Sequence, residues 1–249
     1  MSAGPAGPAI AGLVLAAGES SRMGRDKALL PYRGSTFLEV IVAKLHEAGI
    51  SRVAVVLGHH ADEIRHAANL QGVEVVTNCD YLRGQTSSLQ AGLAALDSRF
   101  WGGQPLALGL GSANTPSPPA PLPKGEGRTV PRTEEPSSEH ELECPDAVLL
   151  CLVDHPAFEP STVSALVETF ARTAAPVVIP TYGGRRGHPV LIARQLFEPL
   201  LALRADQGAN SVIRAWNNQT QFVEVADPGI LVDVDDPDAY SALIESEAI

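Results

Sequence analysis

Basic residues are in short supply in this chain: 18 lysines and arginines stand against 29 aspartates and glutamates, a formal net charge of −11. Contact with a nucleic-acid backbone calls for a wide cationic footprint, so the deficit argues against a nucleic-acid partner. It leaves room for a small phosphorylated ligand in one local basic pocket. Cysteine is scarce too. Cys79, Cys144 and Cys151 are odd in number and lack the close spacing of a metal site, which points to a reducing, cytoplasmic setting without a disulfide framework. Cys151, inside an apolar run, reads as a packing residue. Long apolar stretches are missing as well. The opening MSAGPAGPAIAG has no basic start and no extended hydrophobic run, so neither a signal peptide nor a membrane span is expected. There is no G-x-x-x-x-G-K-[ST] loop, no G-x-G-x-x-G turn and no G-x-S-x-G elbow, which sets aside P-loop, dinucleotide-turn and esterase-triad chemistry. No Cys/His cluster speaks for zinc, and His59 and His60 read as exposed loop residues rather than ligands.

What is present is an alternation of short apolar runs with helix-patterned segments. The 249 residues suffice for one large α/β domain or two small ones. AIAGLVLA, RVAVVLG and VEVVTN read as strands. TFLEVIVAKLHEAG (closed by Gly49), HADEIRHAAN and SSLQAGLAAL read as the helices between them. Further on, DAVLLCLVDHP is a buried strand ending in Asp154, STVSALVETFAR a helix, APVVIP a strand and YGGRRGHPVLI a hairpin. NSVIRAW is predicted as a helix, FVEVA and ILVDV as strands, and a last helix follows DDPDAY. Continuous Val/Leu/Ala strands suit a parallel sheet covered on both faces, so the pattern predicts a doubly wound, mostly parallel α/β fold in a single domain over residues 1–249. Between about 109 and 145 the chain turns rich in Pro, Ser and Glu. That stretch is expected to be a disordered surface insertion, with a proline-rich docking segment as the alternative.

Three clusters fall at the carboxyl ends of predicted strands, where ligands of such sheets bind. In LVLAAGESSRMGRDK, Ala16, Ala17 and Gly18 let backbone amides approach an anion, and Arg22 and Lys27 add positive charge. Asp154, in VDHP, can hold a magnesium ion on nucleotide phosphates. In LVDVDDPDAY, Asp236 is suited to cap the closing helix with Pro237 at its first position, which frees Asp235 to be a second metal ligand. Two further segments stand out. Asn78, Gly84, Gln85, Thr86 and Ser87 precede a helix N-terminus and can hold a base, ribose or phosphate, or simply cap the helix. Arg185, Arg186 and His188 sit on a glycine-hinged turn that could clamp a second anionic substrate.

The stretch LAAGESSRMGRDK resembles the L-A-A-G-x-S-x-R-M-G-x-x-K signature of the MobA-like nucleotidyltransferases, and is most similar to their molybdenum cofactor cytidylyltransferase branch. Gly84-Gln85 with Ser88-Leu89, Asp154-His155-Pro156, Gly187 to Val190 and Asp233 to Pro237 match further motifs of that branch. The departures are His155, where relatives often carry Gln or Met, and D-D-P in place of D-T-P. The resemblance implies a Rossmann-like, three-layer α/β/α fold of the nucleotide-diphospho-sugar transferase type. It implies an NTP lying along Leu15, Ala16, Ala17, Gly18, Glu19, Ser20, Arg22 and Lys27, with Asn78, Gln85, Ser87 and Asp154 completing the nucleotide site. It further implies catalysis by Lys27, Arg22 and Asp154, magnesium on Asp154 and Asp235, and an acceptor held by Arg186 and His188. Ala17, where guanylyl-transferring relatives show glycine, points to CTP. The molybdopterin form of the molybdenum cofactor would be the acceptor and a maturing molybdoenzyme a possible recipient. Another NTP, a sugar, polyol or phospholactate acceptor, and a non-catalytic cofactor-insertion chaperone are the alternatives.

Overall fold

The computed structural model describes residues 7–97, 144–204 and 206–247. The compositionally biased stretch lies outside them, except for its last two residues, Cys144 and Pro145, which are buried.

The elements follow in chain order. Strand β1 (Ile10–Ala16) leads, by way of a short 3-10 turn at Lys27–Leu29, to the hairpin of β2 (Pro31–Tyr32) and β3 (Ser35–Thr36). Helix α1 (Phe37–Glu47), β4 (Arg52–Leu57), α2 (Ala61–Ala67), β5 (Glu74–Thr77) and α3 (Gln85–Leu96) complete the first half. The second half contains β6 (Ala147–Leu152), α4 (Pro160–Thr173), β7 (Val177–Tyr182), β8 (Arg185–Arg186) and β9 (Val190–Ala193). It ends with α5 (Phe197–Leu201), α6 (Asn210–Ala215), β10 (Gln221–Glu224) and α7 (Pro237–Glu247).

The main sheet has the order β10-β7-β9-β6-β1-β4-β5, with β8 paired to β7. The pairs β1–β4, β1–β6, β4–β5 and β7–β10 are parallel, whereas β9 runs antiparallel to both β6 and β7. The reversal comes from the predicted hairpin. Gly183 and Gly184 take φ of +57° and +76° at its tip, the backbone that a tight two-residue turn requires.

Period-two alternation sends the strand side chains to two cores. Val14, Val55, Leu149 and Cys151 pack under α1, α2 and α4, whereas Leu13, Leu15, Val56 and Leu150 pack under α3 and α5. Helices thus cover both faces, giving an α/β/α arrangement of three layers. Helix α1 begins with a capping box: Thr36 Oγ1 accepts from Glu39 N, and Glu39 accepts from Thr36 N at 3.0 Å. It stops before Gly49, whose φ is +87°. A third cluster of Leu30, Tyr32, Phe37, Val40, Val234 and Leu243 clamps α7 and the chain before it onto the β2–β3 hairpin.

One predicted strand is not a strand. ILVDV opens within a 3-10 turn over Pro228–Leu231, because Pro228 removes a backbone donor and Asp227 caps the turn through Gly229 N at 2.9 Å. Residues 232–236 then run outside the sheet. That displacement is what delivers two aspartates to the site.

Candidate active site

The signature loop leaves the carboxyl end of β1, an interior strand between β6 and β4. Ser20 adopts a left-handed backbone with φ of +51°, and its Oγ accepts from Lys27 N at 3.0 Å. Asp26 is buried; one carboxylate oxygen accepts from Ala28 N at 2.8 Å and the other lies 3.1 Å from His60 Nδ1. His60, read from the sequence as an exposed loop residue, is half-buried and secures the loop from α2's side. These contacts fix the backbone of Lys27, whose side chain is only 11% exposed.

Lys27 Nζ donates to Asp235 at 2.7 Å and to Asp154 at 3.2 Å. Arg22 stands on the outer side of the same group, 3.6 Å from Asp235. Asp154 lies two residues beyond β6, in a turn held by Val153 N on Leu15 O at 3.1 Å and His155 N on Leu152 O at 3.0 Å. Asp235 arrives 81 residues later beside a backbone anchor: Val234 is fully buried and its N–H donates to Asp154 O at 2.9 Å. Extended chain alternates its side chains, so burying Val234 turns Asp233 and Asp235 outward on either side of Asp154. Asp235 meets Lys27, and Asp233 comes within 3.9 Å of His155 Nε2.

The electrostatics follow from this crowding. Burial alone would lower the Lys27 pKa, but the hydrogen bond to Asp235 and the charge of Asp154 outweigh it and hold the ammonium above its ordinary value. The same hydrogen bond from Lys27 depresses Asp235. Asp233 moves up, mainly through loss of solvent, with Asp154 and Asp235 adding repulsion. Burial and the neighbouring His155 ring, 4.6 Å away, push His188 down to about 4, so its imidazole is neutral near pH 7.

Two clefts meet here. The first, about 280 Å³, is lined by Leu15, Ala16, Ala17, Gly18, Ser20, Arg22 and Lys27, with Gln85 and Asp154 across from them and Asp235 at the edge. The second, about 530 Å³, is lined by Arg186, Gly187, His188, Asn210 and Arg214 over a floor of Leu89, Leu150, Ile179 and Ile213. Leu15, Gln85 and Leu152 belong to both walls. The Arg186 guanidinium lies 4.4 Å from the Phe222 ring centroid, which holds it at the second cleft.

Three of the residues expected in the nucleotide site do not line the first cleft. Glu19 is exposed outside it. Asn78 is buried, donating to Ser87 Oγ and Ser88 Oγ at 2.9 and 3.0 Å, while Ser87 Oγ donates back to Asp80 and Gly84 carbonyls. These two brace the start of α3 instead, whose N-cap is Gly84 with no side-chain cap bond. Sequence reasoning passed over Ser21, Tyr81, Asp233, Asn210 and Arg214 as site residues. Asp233 stood in a quoted motif, but nothing in the pattern of NSVIRAW distinguishes Arg214 from any exposed helical arginine.

An α/β sheet with a cationic loop facing two carboxylates beside a divided cleft defines a phosphoryl- or nucleotidyl-transferring class of protein. Residues 12–221 match the MobA-like NTP transferase domain; the chain belongs to this family and is a nucleotidyltransferase. It is 21% identical to the molybdenum cofactor cytidylyltransferase of Escherichia coli over 92% of each chain. It is 41% identical over 93 residues to nicotine blue oxidoreductase of Paenarthrobacter nicotinovorans, a match that spans 37% of this chain and only 46% of that protein. Among solved structures, Rv0371c of Mycobacterium tuberculosis is 25% identical with a TM-score of 0.67, covering 96% of this chain and 100% of that one. A second structure of Rv0371c, with a TM-score of 0.65, is a complex with manganese.

Proposed function

We propose that this nucleotidyltransferase moves CMP from CTP onto the terminal phosphate of the molybdopterin form of the molybdenum cofactor and releases pyrophosphate. One observation carries the reading: Lys27, Asp154 and Asp235 converge where a glycine-bearing loop cleft opens into a second cleft with two arginines on its wall. The full-length likeness to a cytidylyltransferase and Ala17 in the loop support the choice of nucleotide and acceptor.

In this reading the triphosphate lies against the backbone of Ala17 to Ser20, with Arg22 on its outer edge. The acceptor occupies the second cleft with its anionic end toward Arg186 and Arg214. A phosphate oxygen of the acceptor attacks the α-phosphorus, and the bond to the pyrophosphate oxygen breaks. The attacker is already an anion, so no general base is needed. Catalysis is positioning and charge neutralisation. Lys27, kept charged and pre-aimed by its carboxylates, neutralises charge developing at the α-phosphate and the leaving group.

The residues also fit a divalent cation, because Asp154 and Asp235 bring two carboxylates to one point beside Lys27 at the first cleft. Asp154 and Asp235 would hold magnesium, or manganese as in the Rv0371c complex, and the ion would supply further charge neutralisation at the phosphates.

The test is product analysis. Protein, magnesium, purified cofactor and each NTP in turn should yield pyrophosphate and a cytosine dinucleotide with CTP. A guanine dinucleotide, or turnover only with sugar, polyol or phospholactate acceptors, would overturn the assignment. Tight binding of cofactor without pyrophosphate release would favour an insertion chaperone.

A further inference from the structure

Asp154 presents its two oxygens to two different neighbourhoods. Oδ2 accepts from Lys27, on the side of Asp235. Oδ1 faces away from the lysine, is buried, and has no hydrogen-bond partner among the described residues. On that side His155 Nε2 lies 4.0 Å from Asp154 Oδ1 and 3.9 Å from Asp233 Oδ1. One ligand atom from each of Asp154, His155 and Asp233 lies within 4.8 Å of the others. These spacings exceed hydrogen-bond contact and leave a gap between the three atoms. A metal with bonds of about 2.1 Å holds adjacent ligand atoms roughly 3.0–3.4 Å apart, so sub-ångström adjustments of flexible side chains close the set.

Asp235 is not part of this group. It is engaged by Lys27 at 2.7 Å and faced by Arg22 at 3.6 Å. Lys27 thus takes up Asp235 and the Oδ2 side of Asp154, whereas Asp233 faces the His155 imidazole. The imidazole of His155 is backed by the His188 ring at 4.6 Å, which limits how far its plane can turn.

We propose that Asp154, His155 and Asp233 form a resident cation site on the far side of Asp154 from Lys27, selective for a first-row transition dication over magnesium. One nitrogen and two carboxylate oxygens suit Mn²⁺, Co²⁺ or Zn²⁺, whereas Mg²⁺ prefers an all-oxygen, largely hydrated shell. The site is complete without nucleotide, unlike an ion that arrives on a triphosphate. It stands or falls independently of the nucleotide and acceptor proposed above.

The experiment uses the chelator-treated full-length protein, free of nucleotide, titrated with Mn²⁺ by electron paramagnetic resonance. Binding of one Mn²⁺ with ¹⁴N coupling is expected, resisting competition by a hundredfold excess of Mg²⁺. His155→Gln should remove the nitrogen coupling and weaken Mn²⁺ binding at least tenfold. Asp235→Asn should keep the coupling. Three results would each overturn the proposal: no ¹⁴N coupling in the unaltered protein, coupling that survives in His155→Gln, or binding that appears only once a nucleotide is added. The first of these is read without any variant, so misfolding of a variant cannot protect the idea. Loss of coupling in Asp235→Asn would also overturn it, by placing the ion between Asp154 and Asp235.

Discussion

At the scale of single residues, Lys27 carries the heaviest expectation. Its ammonium is pre-aimed by two carboxylates and fixed at the backbone by Ser20, so it needs little reorganisation when charge develops beside it. Lys27→Ala should cost about 3–4 kcal/mol of barrier, a loss on the order of a hundredfold or more in kcat. Circular dichroism should stay unchanged. A variant with wild-type turnover would remove Lys27 from the reaction. A less obvious residue is Gly58, just after β4. A Cβ there would collide with the Ala17 carbonyl oxygen and come within 2.9 Å of Ala17 Cβ and 2.8 Å of Tyr81 Cβ. Because backbone cannot swing aside as a side-chain end can, Gly58→Ala should push the Ala17 loop out of register. The expected signature is a KM for NTP raised about tenfold, following the 1.4 kcal/mol equivalence, with a smaller change in kcat. An unchanged KM would mean that the loop's position does not govern nucleotide binding.

At the scale of elements, the start of α1 offers a pH test. Burial would raise the Glu39 pKa. Hydrogen bonds from Ser35, from Asn69 N and from Thr36 prevail and hold it down at about 2, against an ordinary 4.5. A carboxyl depressed on folding stabilises the fold above its unfolded pKa, and that contribution is lost as pH falls through the folded value. Acidification from about pH 5 to pH 2 should therefore erode the stability that Glu39 contributes. Glu39→Gln should lower Tm at pH 7 and narrow its gap to the unaltered protein by pH 3, read by thermal unfolding. A constant gap across that range would dismiss the linkage. Elements also divide what was legible from what was not. The helices of TFLEVIVAKLHEAG and STVSALVETFAR were readable because their caps and stops are local: Thr36 with Glu39, Gly49, and Pro160 at the first turn. ILVDV was misread because a short run of aliphatic, mostly β-branched residues satisfies a strand pattern, whereas Asp227 and Pro228 just upstream commit the chain to a 3-10 turn.

For the molecule as a whole, the described residues already supply two filled cores and the complete lysine–aspartate cluster. Among them no helix is long and apolar enough to cross a membrane. The Pro/Ser/Glu-rich stretch, outside the described residues, was expected from composition to be a disordered surface insertion. Replacing residues 103–140 with a short Gly/Ser linker, leaving buried Cys144 and Pro145 in place, should change Tm by only a few degrees, because loop-closure entropy varies slowly with length. Nucleotidyl transfer should persist. A collapse of either would assign the segment a structural or catalytic part.

By itself the sequence determined the order of most elements, the parallel character of most of the sheet and the loop that carries Lys27. Each of these is written in patterns only a few residues long. The pattern D-D-P put Asp235 forward by giving Asp236 to the closing helix as its cap; only the tertiary structure decided that Asp235 meets that lysine and that Asp233 meets His155. Burial of Val234 and its hydrogen bond to Asp154 settle the matter. A two-residue slip there would put Asp233 where Asp235 stands, and no local pattern records the register of a chain that pairs across 80 residues.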